Sequence, residues 1–154
     1  MDEETQRIEA RVISHPFLSG MRTSHLKVLA DCAKLLRFRT GEMVFRAGEP
    51  ANGFYLIESG EVAIDAPGKK KPVTIDELSA GEPLGWSWIF DPARWQYDAR
   101  ATAPTTTLFF DAAVLRKHRG DDETFGHELF SRMSAVMVRR LQAARGKLAD
   151  ALED

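Results

Sequence analysis

From about Leu35 to Asp111 the apolar residues of this chain recur with a period of two, and glycine or proline interrupts them every several residues. The interruptions fall at Gly41, Gly48, Pro50, Gly60, Pro67, Gly68, Pro72, Gly81, Pro83 and Pro104. Successive side chains of a strand point to opposite faces, so the alternation marks half-buried strands. It is clearest at Val62/Ile64, Val73/Ile75, Leu84/Trp86/Trp88 and Trp95/Tyr97/Ala99/Ala101, with Gln96, Asp98 and Arg100 on the opposite face of the last. Many short strands at even spacing predict a barrel or a double-stranded β-helix (jelly roll) over about residues 35–111.

On both sides of this region the period is helical. Glu3 to Ser14 carries sparse apolar positions (Ile8, Val12, Ile13) and reads as a short amphipathic helix; Ser24 is placed to cap a second, with Leu26, Leu29, Ala30 and Ala33 on one side. After Asp111 comes a short helical piece, Ala112 to His118, and then a long helix from about Asp121 to Leu152. Asp121, Asp122 and Glu123 favour its start, and Gly126 and Gly146 are its weak points. Phe130, Met137, Leu141, Ala144 and Leu148 recur along it in a seam close to a coiled-coil pattern, which predicts a homodimer along this helix. The expected fold is mainly β with flanking α: one domain over residues 1–154, a jelly roll with short N-terminal helices and a long C-terminal dimerisation helix at about 121–152.

Composition removes several function classes. The 21 basic and 23 acidic side chains give a net charge of −2, with no chain-wide pull toward nucleic acid or anionic lipid. No apolar run approaches the roughly 20 residues of a membrane span, and the lone Cys32 has no disulfide partner, so a cytoplasmic protein is expected, with no membrane and no DNA among its partners. His15, His25, His118 and His127 all fall on helices or their edges, which argues against a strand-borne metal site; one cysteine cannot ligate an iron–sulfur cluster. There is no nucleophile elbow and no phosphate loop, and Lys69-Lys70-Lys71 reads as a solvated hairpin turn. A binding module is expected, not an enzyme.

The segment Arg39-Thr40-Gly41-Glu42 to Arg46-Ala47-Gly48-Glu49-Pro50, followed by Phe54-Tyr55-Leu56-Ile57-Glu58-Ser59-Gly60-Glu61-Val62, resembles the opening of the cyclic nucleotide-binding domain. The likeness continues through Leu78-Ser79-Ala80-Gly81-Glu82, Leu84-Gly85 and Ala99-Arg100-Ala101. It ends in Arg132-Met133-Ser134-Ala135 and Arg139-Arg140-Leu141-Gln142, which look most like the catabolite activator protein branch. In that branch a DNA-reading helix-turn-helix follows the long helix; the sequence ends at Asp154, so a stand-alone domain is expected.

The resemblance also implies a site. Ligand-binding members carry a Gly-Glu pair, whose glutamate accepts from the ribose hydroxyl, and after a short helix an arginine that pairs with the cyclic phosphate. Here Gly85 matches, but the glutamate position is Trp86, and counting back from Arg100 and Ala101 puts the phosphate arginine on Trp95, unless a one-residue slip around Pro92 presents Arg94. Gln96 stands where a hydroxyl donor is usual, and Ala144 and Arg145 stand where the activator branch offers Thr-Ser to the purine. The candidate pocket is Gly85, Trp86, Ser87, Arg94, Trp95, Gln96, Arg100 and Arg145. Trp86, Trp88, Phe90, Trp95 and Tyr97 gather there and either fill the roll or line a remodelled pocket. The expectation is a regulatory or scaffold module with a degenerate phosphate cassette, weak or absent binding of cyclic AMP or cyclic GMP, no cofactor, and a separate partner protein. The alternative is a sensor that takes a cyclic nucleotide or another ligand in the roll.

Overall fold

The structure, a computed structural model, describes residues 3–89, 93–121 and 123–153. Three tetrapeptides ending in Gly-Glu set corners of the fold in the same way. In residues 39–42, 46–49 and 79–82 the third residue is a glycine with φ of 91°, 88° and 92°, a conformation that is cheap only without a Cβ. The glutamate side chain folds back onto the amide of the first residue: Glu42 accepts from Arg39 N–H at 2.9 Å, Glu49 from Arg46 N–H at 3.1 Å and Glu82 from Ser79 N–H at 2.7 Å. Each Gly-Glu pair therefore supplies both the turn and the charged acceptor that closes it.

The chain opens with α1 (Glu3–Ser14), a 3-10 turn (Pro16–Leu18) and α2 (Thr23–Cys32). Eight strands follow: β1 (Ala33–Phe38), β2 (Met43–Phe45), β3 (Gly53–Ser59), β4 (Glu61–Ala66), β5 (Val73–Ser79), β6 (Pro83–Leu84), β7 (Asp98–Ala101) and β8 (Thr105–Asp111). A 3-10 turn (Ser87–Ile89) lies between β6 and β7, and α3 (Ala112–Asp121) and α4 (Glu123–Glu153) close the chain. The strands pair antiparallel in two sheets, ordered β1-β8-β3-β6 and β2-β7-β4-β5, the two walls of a jelly roll. Both faces of the first sheet are covered: Tyr55 meets Phe45 of the second sheet inside the roll, and on the other face Phe54 stacks on Phe110 and Trp88. Phe54, Leu56, Val62, Leu84, Leu108 and Phe110 are all essentially without exposure, and α1 and α2 add Val12 and Leu29. Burying each side chain of this kind stabilises by about 1.5–3 kcal/mol.

His15 ties the N-terminal helices to the roll. Its Nε2–H donates to the Ile57 carbonyl at 2.9 Å while Nδ1 accepts from Phe17 N–H at 3.2 Å, which fixes the neutral tautomer. Burial holds its pKa below the ordinary histidine value, outweighing the Ile57 carbonyl and Glu58.

Several expectations are corrected. The roll begins at Ala33, not Leu35. Ser24 lies inside α2, and Arg22 stands at the cap position with no side-chain bond. The Leu84/Trp86/Trp88 alternation is not a strand, because Gly85 turns the chain with φ of 90° and β6 stops at Leu84; β7 starts only at Asp98. Val73 and Ile75 are about half exposed. The long helix starts at Glu123 after α3 has run to Asp121. Phe90, Pro92 and Asp122 lie outside the described residues. Among the described residues no helix is long and apolar enough to cross a membrane, and no group of His, Cys, Asp or Glu is placed to hold a metal.

Candidate functional site

After the loop the chain rejoins the roll against the second Gly-Glu turn. Gly48 N–H donates to the Trp95 carbonyl at 2.8 Å, and Trp95 N–H donates to the Glu49 carbonyl at 3.0 Å. With its backbone held on both sides, residue 95 points inward, and its neighbours 94 and 96 point out. Trp95 is 4% exposed and stacks on Phe45 with ring centroids 3.8 Å apart and planes 9° from parallel; Phe45 leans on Tyr55. Burial pushes the Tyr55 hydroxyl up to about 12. A Cβ on Gly85 would stand 2.7 Å from the Trp95 ring, so the indole occupies the space that glycine leaves.

What remains between the sheets is a cleft of about 120 Å³, bounded by Phe45, Leu84, Gly85, Trp86, Ser87, Trp95, Gln96 and Tyr97. Five of the eight predicted pocket residues, Gly85, Trp86, Ser87, Trp95 and Gln96, therefore meet at one cavity. The three arginines do not. Arg94 is exposed and donates from Nη1 to the Gly48 carbonyl at 2.8 Å; Gln96 donates to the Arg94 carbonyl at 3.2 Å. Arg100 pairs through Nε with Asp65 at 3.1 Å, on a carboxylate that also accepts from the Thr74 hydroxyl at 2.7 Å. Burial pushes the Asp65 carboxyl up, but the bonds from Thr74 and Arg100 hold it below the ordinary range. Arg145 is exposed on α4 and borders neither this cleft nor the groove described below. The aromatic cluster is split: Trp88 packs on Phe54 at 5.7 Å, toward the helices, and its carbonyl accepts from Arg116 at 2.6 Å.

Sequence reasoning missed Arg140 as a pocket residue, although the motif Arg139-Arg140-Leu141-Gln142 stood out. Its guanidinium reaches from α4 to the mouth of the cleft, donates from Nη2 to the Pro83 carbonyl at 2.5 Å and lies 5.4 Å from the centre of the Trp86 ring. Burial holds its pKa below the usual value. On the far side of Arg140 runs a groove of about 810 Å³, between α4 and the rim formed by Phe17, Ile75, Asp76, Glu82 and Pro83. Ala144, assigned from the sequence to the dimer seam, lies on this groove. Of the other seam residues, Phe130 and Met137 are half-buried, whereas Leu141 and Leu148 are 52% and 60% exposed.

Residues 35–120 match the family model described as the cyclic nucleotide-binding domain. The chain is 29% identical over 134 residues to a CRP-like cAMP-activated global transcriptional regulator of Mycobacterium tuberculosis, covering 85% of this chain and 57% of the regulator. It is 35% identical over 149 residues to the acetyltransferase Pat of Mycolicibacterium smegmatis, covering 97% of this chain and 41% of that enzyme. It thus spans less than two thirds of the length of either relative. A solved cyclic nucleotide-binding domain from Methylobacillus flagellatus superposes with a TM-score of 0.79 at 16% identity, over 97% of this chain and 84% of that one, and shares the fold.

Proposed function

The chain belongs to the cyclic nucleotide-binding domain family, and we propose that within it this chain is a regulatory or scaffold module whose phosphate-binding cassette is filled by its own side chains. The observation that carries this reading is Trp95, buried, stacked on Phe45 and seated against Gly85 in the position that the family's phosphate arginine takes by sequence register. The cleft beside it, about 120 Å³, is below the roughly 300 Å³ at which ligand pockets begin. Admitting a cyclic nucleotide means displacing the indole, and removing a core tryptophan costs about 3–5 kcal/mol. At 1.4 kcal/mol per decade that weakens binding by about two to three and a half decades. The neighbouring cations add no phosphate contact, since Arg94 faces solvent and Arg100 is held by Asp65.

In this reading the module acts by association. The exposed Leu141, Leu148 and Leu152 on α4 support pairing of two copies along that helix, with a further protein receiving the output. The deciding measurement is thermal unfolding and tryptophan fluorescence of the full chain in millimolar cyclic AMP or cyclic GMP. Neither observable is expected to move. A working site at about 100 times its dissociation constant adds about 2.7 kcal/mol, several degrees for a domain of this size. A rise of that size, lost on Arg94→Ala, overturns the filled-cassette reading.

A further inference from the structure

At about 3.6 residues per turn, the second half of α4 has two opposite faces. One carries Val136, Arg140, Ala143 and Lys147 and turns toward the chain's own roll, where all four border the groove and Val136 is buried. The other carries Val138, Leu141, Arg145, Leu148 and Leu152, spaced by three, four, three and four residues and all exposed. That spacing is the core repeat of a two-stranded coil. It sets one charged residue, Arg145, between two leucines.

Beside this seam stand Ala135, Ala144, Ala149 and Ala151, small enough for a second helix to come close. In a symmetric pair the same surface serves both partners, and in parallel, in-register pairing each core position meets its own copy. Arg145 then faces Arg145 across the two-fold axis. A charged residue at such a position specifies the register at a cost in stability. Its own helix does not offset that cost, since the residues three and four away, Leu141, Gln142, Leu148 and Ala149, carry no carboxylate. Among the described residues the Arg145 side chain is in no ion pair and no hydrogen bond. Each guanidinium fork can give two parallel hydrogen bonds to an oxyanion. One anion with charge and oxygens for both forks joins the two chains, which a univalent ion such as chloride cannot do.

On the reading that two copies pair along α4, we infer that the facing Arg145 side chains form a site for one small multivalent oxyanion on the two-fold axis, and that the anion strengthens the dimer. The site is incomplete in a single chain. It lies on the side of α4 away from the groove and the roll, so it owes nothing to the filled cassette.

The test sediments the full chain over a range of concentrations in chloride and in inorganic pyrophosphate at one ionic strength. Pyrophosphate is expected to tighten the dimer about tenfold to a hundredfold, the range for one charge-assisted hydrogen bond, and calorimetry to find one anion per dimer. Arg145→Leu completes the apolar seam: its dimer is expected to be tighter than the parent's in chloride and indifferent to pyrophosphate. Arg145→Gln, uncharged but polar, gives the same indifference if Arg145→Leu aggregates. Arg139→Gln removes a cation of the same helix outside the seam and keeps the response. Arg145→Cys reads the register, because a disulfide needs Cα atoms within about 7 Å; mild oxidation is expected to link two chains of this variant but not of the parent, whose Cys32 is buried. A parent dimer indifferent to pyrophosphate, an equal response without Arg145, a response lost in Arg139→Gln, or no cross-link through position 145 overturns the inference and leaves pairing along α4 standing. Monomers in every condition, Arg145→Leu included, sink the pairing and the site with it.

Discussion

The segment from Gly85 to Trp95 and the second half of α4 lie on the two sides of Arg140, and both carry large apolar side chains. Trp95 of the first turns its ring into the roll, where Phe45 stacks on it and leans in turn on Tyr55. The second leaves Leu141, Leu148 and Leu152 largely exposed, at 52%, 60% and 77%. An apolar residue in a periodic pattern thus tells that something will cover it, and only the path of the backbone tells whether the cover is the chain itself. The contrast has a mechanical side: the filled region resists change, and the uncovered one is free to respond to a partner.

The largest effect that separates the two regions is expected at the stacked indole. Trp95→Ala should destabilise by about 3–5 kcal/mol, a drop in melting temperature on the order of 10 °C. A loss under about 1 kcal/mol in urea titration would mean that the ring is not a core residue. Gly85→Ala comes next, at no less than about 1–2 kcal/mol for the left-handed backbone alone, with the contact to Trp95 added. In a Trp95→Ala background the contact disappears and the backbone part stays. A double-mutant cycle should therefore be non-additive, and strict additivity would break the link between the two residues.

A smaller effect, about 1 kcal/mol for a lost hydrogen bond, is expected at His15 as pH falls. Its folded pKa is lowered, so the neutral form is the native one; the contribution is whole above the unfolded value of about 6.5 and is lost as pH drops below that toward the folded pKa. Urea midpoints at pH 7.5 and 5.5, as rough brackets of that window, should converge in His15→Gln relative to the parent. On the uncovered side, Leu148→Glu should change the stability of the fold by no more than about 0.5 kcal/mol yet convert a dimer to a monomer in sedimentation. A parent that is itself monomeric at tens of micromolar, a rough working range, removes the dimer altogether.

The glycines, the switch of period and the helices at both ends were legible because each rests on neighbours in sequence: a turn needs four residues and an amphipathic helix a dozen. The order of the strands within each sheet has no local signal, and the resemblance supplied only the jelly roll as a whole. What stayed illegible depends on distant partners. Whether Arg94 or Trp95 faces inward is decided by bonds to Gly48 and Glu49, more than forty residues earlier. The alternation Leu84/Trp86/Trp88 looked like a strand because a period of two does not reveal that the glycine inside it has turned the backbone. Arg140 was hidden for a further reason: an arginine on a long polar helix reads as solvated, and its contact with Pro83 and Trp86 follows only from where α4 crosses β6.

The contact between Gly85 and Trp95 gives the history of this pocket a direction. A chain with any side chain at position 85 has no room for an indole at 95, since even the first carbon would stand 2.7 Å from the ring. A chain with glycine at 85 can accept the indole in a single step. Once it has, each residue penalises replacement of the other partner's neighbourhood: enlarging 85 strikes the ring, and shrinking 95 leaves a hole that the rigid sheets cannot close. A lineage passing through this state finds no single substitution that reopens the cavity without loss of stability, so closure behaves as a ratchet, and any new ligand is more readily gained along α4, where the space is still open.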